Sequence, residues 1–421
     1  MSVFSRAATT LRDEGVASTA WRARKWLASR RGERAVAPLS QIFPQDLAAA
    51  DWMTTRDLRP APNLGARPRV AWIISPLSAN SGGHQTAFRL MSFLEQAGYD
   101  LTVYLYSAAR YPKVSVAGIR RMLDASPAYP NMTADLRVYD PDRGVEDDVD
   151  AVVASDWATA YAAWRYDRDV PRFYLVQDFE PWFFAHGPDY VAAENSYRLG
   201  LHGITVGPWL AKKLAADYKM RCDHVDFAVD ATRYTRTNDS ERHAVGFYVR
   251  PGTGRRGTEF GLLALEDLHR RRPDIDIHLF GWDMARAGIP FPFTNHGAVS
   301  VTHMPGIFNA CAALLTISLT NPSLVPLEAV ACGTVPVLND SESTRQTFGR
   351  DRRMVFAAMS PSSLADALIR VVDNPHQVDN SRRLAASLAD TNWSDSGRQL
   401  VSVFDRALKP PATSRSRTRK G

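Results

Sequence analysis

The stretch Leu315–Leu338 constrains the fold more than any other part of this chain of 421 residues. Two apolar runs, 312–317 and 335–338, are typical of buried parallel strands. Between them, a loop with two prolines leads into a short helix that we expect to begin near Leu327 and end at Gly333. Such a unit points the helix N-terminus at the carboxyl edge of the sheet, where open α/β folds bind ligands with phosphates.

Glu328 stands in the first turn of this expected helix, which leaves two interpretations open. Its carboxylate can face a ribose while backbone amides, at Ser323 and Leu324 among others, face a phosphate. Alternatively it is one solvated charge on an otherwise buried helix, which is the common situation for a lone Glu.

Composition and length indicate a soluble globular protein of two domains, because 421 residues exceed the usual size of one core and the charged content is 23%. Residues 1–35 and 409–421 each carry a net charge of +5. The two ends together carry +10 and the whole chain carries +6, so the rest of the chain has a net charge of −4. An N-terminal basic helix at an anionic membrane surface and a loosely docked, solvated helix are both compatible with this pattern.

Buried apolar runs predict two successive α/β domains. The first should contain strands at 69–75, 101–106, 151–154, 172–177 and 203–206, with a helix at 84–97 whose apolar residues follow helical spacing. The second should contain strands at 244–249, 275–281, 300–302, 312–317 and 335–338, with helices at 258–271, 305–313 and 361–373. We therefore expect an extension at 1–60, domains at 61–235 and 236–390, a closing helix at 391–408 and a basic tail at 409–421.

Two loops of the first domain carry candidate binding residues. Gly82 and Gly83, followed by His84, come after the first strand, where paired glycines let backbone amides approach a ligand. Gln177, Asp178 and Glu180 come after a later strand in a segment dense in aromatic residues. In an extended chain both carboxylates share one side, and aromatic walls with carboxylates suit a sugar.

The loop at 250–257 contains a GxGxxG pattern between a strand and a helix. A dinucleotide site is one interpretation. However, the pattern opens the second domain, carries arginines where dinucleotide loops rely on amides, and lacks a convincing acid at the end of the next strand. Arg250 and Arg256, with Gly257, instead offer guanidinium donors to a diphosphate.

These motifs resemble those of GT-B glycosyltransferases, above all glycosyltransferase family 4. The resemblance spans residues 69–405 in layout and is most specific in 174–184, 246–257 and 318–338. It implies a GT-B fold, α/β with two Rossmann-like doubly wound domains facing a central cleft and a C-terminal helix that crosses back. It also implies a donor diphosphate at the arginine loop, a nucleoside near Glu328, Asn295 and Gly297, and an acceptor over the glycine loop.

Two departures from the family pattern bear on the sugar. The family usually has His where this chain has Gln177, and a second Glu where this chain has Thr320. The sequence of residues 177–183 resembles the corresponding segment of bacterial rhamnosyltransferases that build surface glycans. Rhamnose is a 6-deoxy sugar, so it needs no partner for a 6-hydroxyl. This favours transfer of L-rhamnose from dTDP-L-rhamnose to a growing surface polysaccharide, with Asp178, Glu180 and Gln177 as catalytic candidates.

The sequence shows no histidine pairing typical of a metal site, so we expect no metal and no cofactor beyond the nucleotide-sugar donor. The expected partners are that donor and a glycan or lipid-linked glycan, with no nucleic acid. We expect a cytoplasmic protein, and contact of the basic N-terminus with the inner face of the membrane is one of the two interpretations that the charge pattern leaves open. An epimerase or hydrolase of sugar nucleotides, and a non-catalytic binding module, remain alternatives.

Overall fold

The computed structural model describes residues 41–53, 55–63, 65–78, 81–108, 115–349 and 353–408. The expected basic helix within residues 1–40 and the expected tail at 409–421 lie outside these ranges. None of the helices in the described part of the chain is long and apolar enough to span a bilayer.

The first domain is a seven-stranded parallel sheet in the order β3-β2-β1-β4-β5-β6-β7. Strand β1, the third in this order, pairs on both sides, so that Trp72 lies beside Val103 and Val153. Both faces of the sheet are covered by apolar clusters. The strands are β1 Arg69–Ile74, β2 Asp100–Leu105, β3 Asp135–Val138, β4 Ala151–Ala154, β5 Arg172–Val176, β6 His202–Val206 and β7 Cys222–Val225.

Helices join most of these strands, as is usual for parallel crossovers, whereas β3 and β4 are joined without one. The helices of this domain are α1 Pro44–Ala49, α2 Gly82–Gln96, α3 Val116–Ala125, α4 Trp157–Arg165, α5 Pro188–Ser196 and α6 Pro208–Tyr218, with a 3-10 turn at Glu180–Phe183. Helix α1 lies within the extension predicted over 1–60 but packs on this domain, where Asp46 is buried and accepts hydrogen bonds from the hydroxyls of Tyr106 and Tyr139.

The second domain is a six-stranded parallel sheet in the order β10-β9-β8-β11-β12-β13. Its strands are β8 Ala244–Tyr248, β9 Asp276–Phe280, β10 Thr294–Asn295, β11 Cys311–Thr316, β12 Val335–Asn339 and β13 Val355–Ala357. Its helices are α7 Thr258–Arg271, α8 Met304–Ala310, α9 Val325–Ala331, α10 Glu342–Phe348, α11 Pro361–Val372 and α12 Gln377–Ala386, with a 3-10 turn at Gly254–Arg256.

The strands in the middle of both sheets match the sequence prediction to within one residue at each end. The prediction failed at the edges: it missed β3, β7 and β13, and it placed a strand at 300–302, where the chain forms a turn and β10 precedes it. A central strand is buried on both faces and reads as a continuous apolar run. An edge strand is short and partly polar, so its sequence resembles a loop. The helix predicted at 305–313 also ends early, because Cys311 begins β11.

The last helix, α13 Trp393–Leu408, returns to the first domain and packs on α2. Its buried residues Leu400, Val403 and Phe404 belong to the apolar cluster of that domain. The Phe404 ring stacks on Phe173 with centroids 4.5 Å apart and meets the edge of Tyr99 at 5.8 Å.

Phe404→Ala should therefore destabilise the fold by about 3–5 kcal/mol, because it removes a fully buried aromatic ring and leaves a cavity. Urea unfolding of the purified chain measures this change. Phe260→Ala is the matched control, since that ring is 43% exposed, and its cost should stay near 0.5 kcal/mol, as is usual at the surface. Equal costs for the two variants would contradict the packing role of α13.

Candidate functional site

The carboxyl edges of both sheets open into one cleft between the domains. In each sheet the strand order reverses at one point, between β1 and β4 in the first domain and between β8 and β11 in the second. Ligands of open α/β sheets bind in the crevice at such reversals. The loops that follow these four strands line a cleft of about 430 Å³.

The arginine loop after β8 contributes two of the predicted diphosphate ligands, Arg250 and Arg256, to the wall of this cleft. The Arg256 guanidinium is held in place by a 3.0 Å hydrogen bond to the Ser318 hydroxyl. Gly257 ends the loop at φ +55°, and a Cβ there would lie 2.6 Å from Ile317. Only glycine therefore allows the loop to turn this closely against β11 and enter α7.

Glu328 also lines the cleft, together with Ser323 and Leu324. Burial raises the pKa of Glu328 to about 7, although the Tyr234 hydroxyl and two arginines, Arg89 and Arg233, favour its charged form. Its carboxylate is therefore poised to change its protonation near neutral pH, unlike the solvated Glu of the alternative interpretation.

Asp178 joins the two domains. Its carboxylate accepts hydrogen bonds from the Thr320 hydroxyl at 3.0 Å and from the backbone N–H of Asn321 at 2.8 Å. Arg255, in the arginine loop, approaches the same carboxylate at 3.3 Å. The side chains of Asp178 and Thr320 are both buried. A carboxylate from the first domain thus neutralises an arginine of the second domain. It also accepts hydrogen bonds from two donors of the second domain, the Thr320 hydroxyl and the Asn321 backbone N–H.

The Asn321 side chain extends this junction. Its amide donates to the backbone carbonyls of Gln177, at 2.8 Å, and Val206, at 3.2 Å. The loop after β11 is therefore hydrogen-bonded to the ends of β5 and β6. Arg255 also stacks on the Phe183 ring at 3.9 Å.

Glu180 has a different environment from Asp178. The chain leaves the extended conformation there and starts a 3-10 turn, so the two carboxylates do not share partners as an extended segment predicted. Glu180 is buried and accepts a 2.6 Å hydrogen bond from the backbone N–H of Trp157. Burial, with the nearby carboxyl group of Asp156, raises the pKa of Glu180 well above its ordinary value, which favours the protonated form of the side chain.

The glycine loop and Gln177 meet on the first-domain side of the cleft. Gln177 donates a 3.0 Å hydrogen bond to the carbonyl of Gly83, and both residues line the cleft with Gly82. His84 lies behind them in a smaller adjoining cavity. Most residues predicted for the acceptor side are thus adjacent in space.

The two residues predicted for the nucleoside base are not among those that line the cleft. The Asn295 side chain donates to Asp283 at 2.6 Å and accepts from the backbone N–H of Gly297. The next residues along the chain, Ala298 and Val299, line the cleft instead, with Gly281 opposite.

Sequence reasoning did not assign roles to Arg89, Asp156, Arg233, Arg255 and Asn321, which line the cleft, or to Thr320 as the donor to Asp178. Asp156 had a sequence signal, since it follows a strand directly. Arg89 had no sequence signal, because it lies among the residues of helix α2. Only the packing of the second domain against the first places it beside Glu328. In the described ranges, no group of three or more His, Cys, Asp or Glu side chains is arranged to hold a metal ion.

Residues 243–369 match the protein family described as the C-terminal domain of WsaF. Over 272 residues, or 63% of this chain, the sequence is 30% identical to the O-antigen biosynthesis protein RfbC of Myxococcus xanthus. The chain spans 21% of the length of that relative.

Solved structures identify the fold. TarM of S. aureus, solved with UDP, matches with a TM-score of 0.64 and 7% identity, over 82% of this chain and all of that one. HepE of Anabaena, solved with UDP-glucose, matches with a TM-score of 0.60 and 12% identity, over 81% of this chain and all of that one. Two parallel α/β domains around a cleft, in this arrangement, are the GT-B fold, which confirms the fold predicted from the motifs.

Asp178→Ala should weaken the closed arrangement of the domains, because it leaves Arg255, the Thr320 hydroxyl and the backbone N–H of Asn321 without their shared acceptor. Loss of one partner of a buried charged pair costs about 3–5 kcal/mol. Small-angle X-ray scattering should show a larger radius of gyration, with Asp178→Asn intermediate because its carbonyl oxygen still accepts one hydrogen bond. The exposed Asp276 supplies the control, Asp276→Ala, and identical scattering from all four proteins would contradict the bridging role.

Glu328→Gln should remove a pH dependence of stability. Because burial raises the pKa of Glu328 from 4.5 to about 7, the folded protein holds a proton in this range that the unfolded chain releases. This stabilising contribution is complete below pH 4.5 and is lost as the pH rises through about 7. The free energy of unfolding of the variant, relative to the parent, should therefore rise between these values in urea titrations. If the difference in free energy of unfolding between variant and parent did not change with pH, the raised pKa of Glu328 would be refuted.

Proposed function

We propose that this chain is a glycosyltransferase that moves a sugar from a nucleoside diphosphate sugar to a glycan acceptor. One observation carries the proposal: a single interdomain cleft has arginines on its second-domain wall and carboxyl groups with aromatic rings on its first-domain wall. The first set suits a diphosphate and the second suits a sugar. The similarity to an O-antigen biosynthesis protein, and the UDP and UDP-glucose in the matching structures, support this assignment.

In this proposal Arg250 and Arg256 bind the donor diphosphate. As the bond between the sugar C1 and the phosphate oxygen breaks, negative charge grows on the leaving diphosphate, and fixed guanidinium groups neutralise it without reorganisation. Glu328 accepts a hydrogen bond from the nucleoside sugar. The reaction needs no cofactor besides the donor.

The environment of the two carboxyl groups supports a retaining reaction over an inverting one. Inversion needs a base to take the proton of the acceptor hydroxyl. Asp178 is committed to Thr320, Asn321 and Arg255, and burial raises the pKa of Glu180 well above its ordinary value, which favours an acid over a base there. In the retaining route that the family 4 resemblance implies, the proton of the acceptor hydroxyl passes to an oxygen of the leaving diphosphate while the acceptor oxygen bonds to C1.

For the donor we propose dTDP-L-rhamnose and for the acceptor a growing surface polysaccharide. Gln177 supports the deoxy sugar, because its amide is already used by the Gly83 carbonyl and it stands where family members have a His for a 6-hydroxyl.

Arg256→Ala should lower transferase activity by about 10²–10³-fold, the usual cost of losing one donor that stabilises developing charge. Isothermal titration with dTDP, UDP, GDP, ADP and NAD should show selective binding of dTDP to the parent chain and its loss in the variant. The exposed Arg286 provides the matched control, Arg286→Ala, which should bind as the parent does. Unchanged binding and turnover in Arg256→Ala would overturn the diphosphate assignment, and selective UDP binding would overturn the choice of donor alone.

A further inference from the structure

A smaller cavity of about 210 Å³ adjoins the cleft inside the first domain. It lies under the glycine loop, at the ends of β1 and β4. It shares half of its lining with the cleft, namely Ser81, Gly83, Ser155, Asp156, Gln177, Glu180 and Phe183. The side chains that define it chemically are Ser75, His84, Asp156, Trp157, Glu180 and Phe183.

The charge of this cavity differs from that of the cleft. None of the described residues that line it is a lysine or an arginine. Asp156 is an acid whose oxygens are already used: it caps α4 through the N–H groups of Ala158 and Thr159 and accepts from the Ser75 hydroxyl. An anion entering here would lose its hydration beside Asp156 and find no lysine or arginine among the described residues that line the cavity.

Two groups remain open to an uncharged ligand. The Nδ1 atom of His84 is buried and has no hydrogen-bond partner. Burial lowers the pKa of His84 to about 4, so the ring is neutral and can exchange one hydrogen bond with a hydroxyl. Glu180 also lines the cavity, with one carboxyl oxygen accepting from the backbone N–H of Trp157, and it offers the rest of its hydrogen-bonding capacity to a hydroxyl.

The aromatic walls complete the site. Trp157 is almost fully buried, while the Phe183 ring is exposed on one side and held by Arg255 on the other. An exposed aromatic face beside hydroxyl-binding groups suits the C–H face of a sugar ring.

From this geometry we infer that the cavity binds an uncharged sugar ring of the acceptor, with hydroxyls at His84 and Glu180 and a C–H face on Phe183, and that it rejects phosphate-bearing and acidic sugars. This inference rests on the proposed function and specifies its acceptor. The chain would then extend glycans that already end in a neutral sugar. A different transfer reaction must supply that sugar to any phosphate-bearing carrier.

Saturation-transfer NMR on the full chain, with and without dTDP, tests the inference. The probes are methyl α-L-rhamnopyranoside and methyl α-D-mannopyranoside as neutral sugars, and glucose 1-phosphate and methyl glucuronide as anions. With dTDP present, at least one neutral glycoside should show a saturation-transfer signal. Phe183→Ala and His84→Ala should each reduce that signal at least fivefold. Phe260→Ala is the matched control and should leave it unchanged.

The variants must still unfold cooperatively with urea, which separates loss of the site from loss of the fold. Stronger transfer to either anion that also depends on Phe183 and His84 would overturn the inference, as would neutral-sugar signals that both variants leave intact or the absence of any signal. Failure of dTDP to bind, with neutral glycosides still bound through Phe183 and His84, would instead contradict the proposed donor.

Discussion

The carboxylate of Asp178 is the interaction on which the shape of the cleft depends. It lies at the end of β5 in the first domain, yet its partners Thr320, Asn321 and Arg255 all belong to the second. A charged group in this position is stable only while its donors are present, because an unpaired buried carboxylate is costly. The same contacts therefore hold the domains together and fix the loops after β8 and β11 that wall the cleft.

Both walls of the cleft carry arginines and carboxyl groups, and the pair Arg250 and Arg256 is the part that suits a diphosphate. Arg250 and Arg256 stand on the second domain, where the backbone turns tightly at Gly257. The first domain presents Asp156 and Glu180, whose carboxyl pKa values are both raised by burial. In the proposed reaction, the anionic donor lies on the wall of Arg250 and Arg256 and the acceptor on the wall of Asp156 and Glu180, with the bond to be made between them.

The sequence was sufficient for the fold because the central strands of both sheets are buried on two faces, and the resulting apolar runs are unmistakable. It also located Arg256 and Glu328, since the loop and helix that carry them directly follow such strands. The edge strand β10 was misplaced because Thr294 and Asn295 carry no apolar signal. The partnership of Asp178 with Thr320 was beyond sequence reasoning, because 142 positions separate them and no local pattern encodes a contact between two domains.

The central claim is that a nucleoside diphosphate binds to the second-domain wall of this cleft. A crystal structure of the chain with dTDP tests it most directly. The account predicts both phosphates within hydrogen-bonding distance of Arg250 and Arg256 and the nucleoside sugar beside Glu328. A nucleotide bound along the first domain, or outside the cleft with these three side chains untouched, would contradict it.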